Sequence, residues 1–89
     1  MAYGAVSVGN TATKIINNNC GRQALMLVNN SSDTIVYLGT DSSVTTTTGL
    51  PLFYYSTRDF TKTFGYYNGD IYGITASGTA DIRYWEVVI

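Results

Sequence analysis

Residues 71–86 decide the fold class, and they read IYGITASGTADIRYWE. Two runs in which bulky and small side chains alternate are separated by Ala76-Ser77-Gly78, which are residues that tolerate turn geometry. Alternation with a period of two is typical of a β-strand with two different faces. The stretch therefore predicts a β-hairpin with its turn near Ala76-Ser77-Gly78, one side of which closes the core of the domain.

Similar short runs recur along the chain between clusters of Gly, Asn, Asp and Ser. No segment keeps apolar residues at the i, i+3, i+4 and i+7 spacing of an amphipathic helix. The predicted strands are residues 5–8, 11–16, 22–29, 34–39, 51–55, 60–64, 70–75 and 80–88. This pattern predicts an all-β fold, a small antiparallel β-sandwich or barrel of about seven or eight short strands with essentially no helix.

The 89 residues are enough for one domain, so residues 1–89 are expected to form a single β domain. Residues 1–10 either belong to it or extend from it as an N-terminal arm. Pro51, the only proline, cannot donate a hydrogen bond to a neighbouring strand. It therefore predicts an edge strand or the start of a strand.

Several predicted strands are apolar on both faces. Leu25 and Leu27 share one face, with Met26 on the other. In the last strand one face consists of Ala80, Ile82, Tyr84 and Glu86. The opposite face consists of Asp81, Arg83, Trp85 and Val87. A two-layer sandwich buries only one face of each sheet in its own core. The second apolar face therefore predicts contact with another protein surface.

The chain is poor in charge. Asp, Glu, Lys and Arg make up 12% of the residues, about half the usual fraction of roughly 25%. The five basic residues are scattered and the formal net charge is −1. Nucleic-acid binding depends on a clustered basic surface, so the sequence argues against a nucleic-acid partner. A surface rich in Thr and Tyr is easily desolvated, which suits lasting contact with protein.

The sequence shows neither a signal peptide nor a membrane-spanning segment. Residues 1–9, MAYGAVSVG, lack the basic start and long apolar segment of a signal peptide. No stretch reaches the roughly 18 apolar residues of a membrane-spanning helix. Cys20 is the single cysteine, cannot form a disulfide within the chain, and is expected to be a small residue in a turn. We therefore expect assembly in the cytoplasm, with no membrane partner.

Groups that could perform chemistry are scarce. Histidine is absent, which removes the usual proton shuttle and the commonest metal ligand. No base accompanies a candidate Ser, Thr or Cys nucleophile. The carboxylates are Asp33, Asp41, Asp59, Asp70, Asp81 and Glu86, and four of them lie beside turn residues. We therefore expect no enzyme activity, no catalytic residue, no cofactor and no metal site.

The candidate binding residues are mostly aromatic, and they are best considered as protein-interface candidates. They are Trp85, Arg83, Tyr54, Tyr55, Tyr66 and Tyr67. For any single tyrosine, packing in the core is the favoured alternative, and an exposed row of rings stacking on a glycan is the least favoured.

Arg83 and Asp81 form either a solvated surface pair or part of an interface. Arg22, Arg58 and Lys62 could assist, although their spacing singles out none of them. Residues 45–48, four threonines, predict an edge or loop, or alternatively a hydroxyl ladder at a subunit contact.

Four segments in fixed order carry a family resemblance. They are ALMLVNN (24–30), TIVYLG (34–39), VT with GLPL (44–45 and 49–52), and IYGITASGTADIRYWE (71–86). Together they resemble small all-β virion structural proteins of tailed bacteriophages. In that class V-N-N/x-S leads to V-Y-L/I-G, then to V-T…G-x-P-L, and the chain closes with I-Y-x-I…S-G-x-x-x-I-R-x-x-E. Residues 53–64, FYYSTRDFTKTF, depart from the class, which has a shorter, Gly-rich and less aromatic stretch there.

The resemblance implies a non-enzymatic protein of the virion that decorates or cements the capsid. Its partners would be the major capsid protein or other virion subunits, and it would act as a homo-oligomer. A tail or fibre component is the alternative within the same class. A carbohydrate-binding module for host recognition, with a glycan as partner, is the less favoured alternative.

Overall fold

The computed structural model describes residues 2–61 and 69–88, and these residues form eight β-strands and no helix. The strands are β1 (Ala2–Val8), β2 (Thr13–Ile16), β3 (Arg22–Asn29), β4 (Val36–Gly39), β5 (Leu50–Leu52), β6 (Thr57–Thr61), β7 (Ile71–Thr75) and β8 (Ala80–Val88). The predicted all-β sandwich is confirmed, and β3 and β8 have the predicted bounds. No described segment is a helix long and apolar enough to span a bilayer.

Two four-stranded antiparallel sheets make up the sandwich. Their strand orders are β1-β8-β3-β6, which we call the β8 sheet, and β2-β7-β4-β5, which we call the β7 sheet. The first strand pairs with the last, the second with the seventh, the third with the sixth and the fourth with the fifth. This nested pairing is the topology of an eight-stranded jelly roll.

The predicted hairpin at residues 71–86 is wrong, because β7 and β8 lie in different sheets. The connection between them crosses the sandwich instead of turning back within a sheet. It is closed by the Thr75 hydroxyl, which donates to the Gly78 carbonyl at 2.9 Å, and Gly78 has a φ of 73° that favours glycine. β7 and β8 instead pair with strands far away in the chain, as shown by Leu38 opposite Gly73 and Leu27 opposite Tyr84.

The bounds of β2, β4 and β7 differ from the predicted ones by one or two residues, and three other segments differ by three residues at one end. β5 ends at Leu52, and Tyr54 and Tyr55 form a turn in which the Tyr55 N–H donates to the Asn29 carbonyl at 2.8 Å. β6 begins at Thr57, earlier than predicted, and residues 62–64 lie outside the described residues. Residues 2–8 form β1 and pair with β8 along their whole length. β5 lies at the edge of its sheet, so the edge position predicted from Pro51 is confirmed.

The core lies between the two sheets. Its buried apolar residues are Val8, Ile15, Ile16, Leu25, Leu27, Val36, Leu38, Leu52, Ile71, Ala80 and Ile82. The alternation predicted for β3 is confirmed, because Leu25 and Leu27 are buried and Met26 is exposed. At Gly73 core side chains pack directly against the backbone, because a Cβ at this position would lie only 2.9 Å from Ile15 Cδ1.

The loops are stabilised locally. The Thr45 and Thr48 hydroxyl oxygens lie 2.8 Å apart in a turn, so the threonine segment is a loop, as one of its two interpretations predicted. The hydroxyl and N–H of Ser43 both donate to Asp41, and these bonds lower the pKa of that carboxyl. Cys20 is exposed in the turn between β2 and β3, as predicted.

Candidate protein interface

Exposed apolar side chains form a row across the outer face of the β8 sheet. Trp85 lies directly opposite Tyr3 on β1 and Met26 on β3, and Met26 lies opposite Asp59 on β6. Side chains of directly opposite residues are about 5 Å apart at Cβ, so the row is continuous. Trp85 is 58% exposed and Tyr3 is 78% exposed. The row is therefore accessible to another molecule.

A second row lies beside the first. Val87 is opposite Ala24, and Val87 is partly exposed on the same outer face. We call Tyr3, Ala24, Met26, Trp85 and Val87 together the Trp85 face. None of them carries a formal charge, so the centre of this surface can be desolvated at little electrostatic cost.

A shallow cavity of about 170 Å³ lies within the Trp85 face. It is lined by Ala24, Leu25, Met26, Asp59, Trp85 and Val87. Apolar cavities of about 150 Å³ accommodate a group the size of benzene, so this one has room for an apolar side chain of a partner. Among the described residues that line it, Asp59 alone is charged.

Paired charges border the face. Arg83 Nη2 lies 2.9 Å from Asp81 Oδ2 in an exposed ion pair on β8. Asp81 and Arg83 therefore pair with each other within the chain. The sequence predicted them to be either a solvated surface pair or part of an interface. An apolar centre with a polar border is the usual anatomy of a protein–protein interface.

A buried ion pair fixes which side of β8 points outward. Arg22 Nε lies 2.8 Å from Glu86 Oε2, and the two side chains are only 1% and 9% exposed. The guanidinium also donates to the carbonyl oxygens of Asn17 at 2.6 Å and Gly69 at 3.1 Å. Because strand side chains alternate, an inward Glu86 requires an outward Trp85.

The predicted interface residues separate into groups. Trp85 and Arg83 share the outer face of β8. Tyr54 and Tyr55 are exposed in the turn before β6. Both lie between β5 and β6 and belong to no strand of the β8 sheet. The structure therefore does not bring this pair into the Trp85 row.

The remaining candidates are either outside the described residues or engaged in contacts within the chain. Tyr66 and Tyr67 lie outside the described residues, as does Lys62. Arg22 is buried, and Arg58 donates to the Pro51 carbonyl at 3.2 Å, which joins β6 to β5. The interface role considered for Arg22 is wrong because its guanidinium serves the interior ion pair.

Sequence reasoning missed Tyr3 and Met26 as members of the surface. Met26 could have been found, because alternation placed it opposite the core residues Leu25 and Leu27. Tyr3 could not, because its position depends on β1 pairing with β8 at the far end of the chain.

A polar groove of about 490 Å³ lies elsewhere, between the β3–β4 loop and the β7–β8 connection. It is lined by Asp33, Thr34, Ile35, Tyr37, Ala76, Ser77, Gly78 and Thr79. These residues provide four hydroxyl groups, one carboxylate and one aromatic ring. Within the described residues, no group of three His, Cys, Asp or Glu side chains is placed to hold a metal ion.

Comparison with known proteins gave no match, whether to a family model, to a curated protein or to a solved structure.

Proposed function

We propose that this chain is a non-enzymatic structural protein of a tailed-phage virion that decorates or cements the capsid as an oligomer. The Trp85 face contacts the major capsid protein or another virion subunit. The observation that carries the proposal is the row of Tyr3, Trp85 and Met26, exposed together on the outer face of one sheet.

The energetics favour a contact that is repeated many times. Burying the exposed parts of Trp85 and Tyr3 would contribute on the order of 7 kcal/mol, at about 25 cal/mol per Å². Association costs about 4–15 kcal/mol in lost freedom of motion, so one such contact alone is weak. Many copies on a symmetric shell reinforce one another through multivalency.

The sequence adds two further supports. The charged fraction of 12% leaves a surface that is easily desolvated. The ordered motifs at residues 24–30, 34–39, 44–45 with 49–52, and 71–86 resemble virion proteins of this kind. The jelly-roll fold is shared by viral capsid proteins and by lectins, so the fold alone does not choose between them.

A binding experiment tests the contact. Purified protein is sedimented with coat-protein shells of the phage that encodes it, and the bound fraction is measured against concentration. We expect Trp85→Ala to weaken binding at least about tenfold, as for a central interface aromatic. Tyr54→Ala removes another exposed ring and should bind like the unmodified chain. Equal binding by both variants would overturn the assignment of the Trp85 face.

A second experiment tests the location. Cryo-electron microscopy of purified particles gives the position and copy number of the chain. Copies spread over the capsid lattice are the expected result. A few copies at one vertex would make the chain a tail or fibre component, and its absence from particles would overturn the proposal.

The polar groove supports one alternative function, carbohydrate recognition. Its hydroxyls, the Asp33 carboxylate and the Tyr37 ring are the groups with which proteins orient sugars. Its volume of about 490 Å³ falls within the range of small-molecule sites. A glycan array followed by titration of Asp33→Ala tests it. Binding that is lost in this variant supports a carbohydrate module, and an array without hits removes it.

A further inference from the structure

Within the part of the chain that the structure describes, the two sheets end in four edge strands, and these differ in how they are protected. The edge strands are β1 and β6 in the β8 sheet, and β2 and β5 in the β7 sheet. An edge strand exposes unpaired backbone N–H and C=O groups that can pair with another chain. Proteins usually block such edges with short strands, prolines, charges or bulges.

Three of the four edges carry such protection. β5 has only three residues and contains Pro51. β2 has four residues, carries Lys14, and shifts register between Lys14 and Ile16. β6 carries Arg58 and Asp59. Each of these edges would therefore accept an added strand poorly.

β1 lacks every one of these features. Its seven residues, AYGAVSV, include no charge and no proline. Its register with β8 is unbroken from Ala2 opposite Glu86 to Val8 opposite Ala80. Among the described residues no strand pairs with its other edge. A long, uncharged edge strand without a proline or a bulge invites pairing.

We propose that β1 is the contact through which two copies of this chain associate, strand to antiparallel strand, about a twofold axis. The occupant is a second copy because an uncharged strand meets its own image without repulsion. Antiparallel pairing of all seven residues would place Ala5 opposite Ala5 of the other copy and Tyr3 opposite Ser7. Such a twofold contact is self-complementary, and backbone pairing supplies its hydrogen bonds.

The dimer would join two β8 sheets into one continuous eight-stranded sheet. Both Trp85 faces would then lie on the same side, because side-chain alternation carries across the new pair. The inference deepens the proposed function by naming the contact of its oligomer, although its test requires no virion component.

Analytical ultracentrifugation over a wide concentration range tests the proposal. The unmodified chain should sediment at twice the chain mass at high concentration. Ala5→Lys would place two like charges opposite each other at the twofold axis and should weaken dimerisation at least about tenfold. Ala5→Glu should have the same effect on dimerisation. Because it places a carboxylate opposite Arg83 within the chain, it should disturb the fold less than Ala5→Lys, which places a like charge there.

Thr57→Lys is the matched control. Ala5, Arg83, Val28 and Thr57 form one row across the β8 sheet, so Thr57 is the exposed counterpart of Ala5 at the opposite edge. This variant should dimerise like the unmodified chain. A monomer at every concentration, or equal weakening by Thr57→Lys, would overturn the proposal.

The two proposals can fail separately. A monomer that still binds shells overturns the β1 contact and leaves the virion function. A dimer that binds no shell and is absent from particles overturns the virion function and leaves the β1 contact.

Discussion

Arg22 on β3 and Glu86 on β8 are 64 residues apart in the chain, and they meet inside the sandwich with 2.8 Å between Nε and Oε2. Glu86 is thereby held on the inner side of β8, and its neighbour Trp85 is held on the outer side. A slip of one residue would bury Trp85 and expose Glu86. The interior ion pair and the exposed Trp85 face are therefore consequences of one strand register.

The ion pair should matter strongly for stability. Glu86→Ala removes the carboxylate that faces the buried Arg22 guanidinium, and breaking a buried pair in this way costs about 3 kcal/mol or more. Glu86→Gln should cost less, because its amide oxygen can still accept a hydrogen bond from Arg22 Nε. Urea unfolding followed by circular dichroism measures both values.

The matched control for this substitution is Asp81→Ala. Asp81 also pairs with an arginine on β8, but that pair is exposed and should contribute less than about 1 kcal/mol. Equal destabilisation by Glu86→Ala and Asp81→Ala would show that Glu86 is not held in the interior.

One added carbon at Gly73 should destabilise the fold, because the Ile15 and Val36 side chains would have to shift. A Cβ there would lie 2.9 Å from Ile15 Cδ1 and 3.0 Å from Val36 Cγ1, and overpacking of this kind costs about 1–3 kcal/mol. Gly73→Ala should lower the free energy of unfolding by that amount. At Gly9 the nearest atom to an added Cβ is 3.9 Å away, so Gly9→Ala should leave stability unchanged or slightly raised. A neutral Gly73→Ala would contradict the close packing of the sheets.

Tyr55 occupies a backbone conformation that disfavours its own side chain. Among the described residues other than glycine, only Tyr55 has a positive φ, 56°. The left-handed region costs about 1–2 kcal/mol for an ordinary residue, and glycine at this position would avoid that cost. Glycine loses more conformational freedom on folding than other residues, which offsets about 0.5–1 kcal/mol of the gain. Tyr55→Gly should therefore raise the melting temperature slightly, while Tyr54→Gly should lower it. Differential scanning calorimetry of both variants checks this, and a destabilised Tyr55→Gly would contradict it.

Strand positions and faces could be predicted because they depend on neighbouring residues. The alternation of Leu25, Met26 and Leu27 separated the two faces of β3, and that of Ile82 and Trp85 separated the two faces of β8. The structure then shows that Leu25, Leu27 and Ile82 lie on the inner side. Both alternations were visible in the sequence, because an extended chain places successive side chains on opposite sides.

Strand partners could not be predicted in the same way. Residues 71–86 read as a hairpin, yet β7 and β8 take partners from other parts of the chain. The choice depends on the packing of both sheets together, which no local pattern encodes. Glu86 gave one usable signal, because it shared a face with Ala80 and Ile82, and a carboxylate on a buried face requires a partner.

Hydroxyl-radical footprinting of intact particles tests the central claim most directly. Trp85 is the only tryptophan in the chain, so its oxidation can be assigned without ambiguity by mass spectrometry. We predict rapid oxidation of Trp85 in the free protein and at least about tenfold protection in the particle, with Tyr54 oxidised similarly in both. Equal oxidation of Trp85 in free and assembled protein would contradict the claim that this face is covered by a virion subunit.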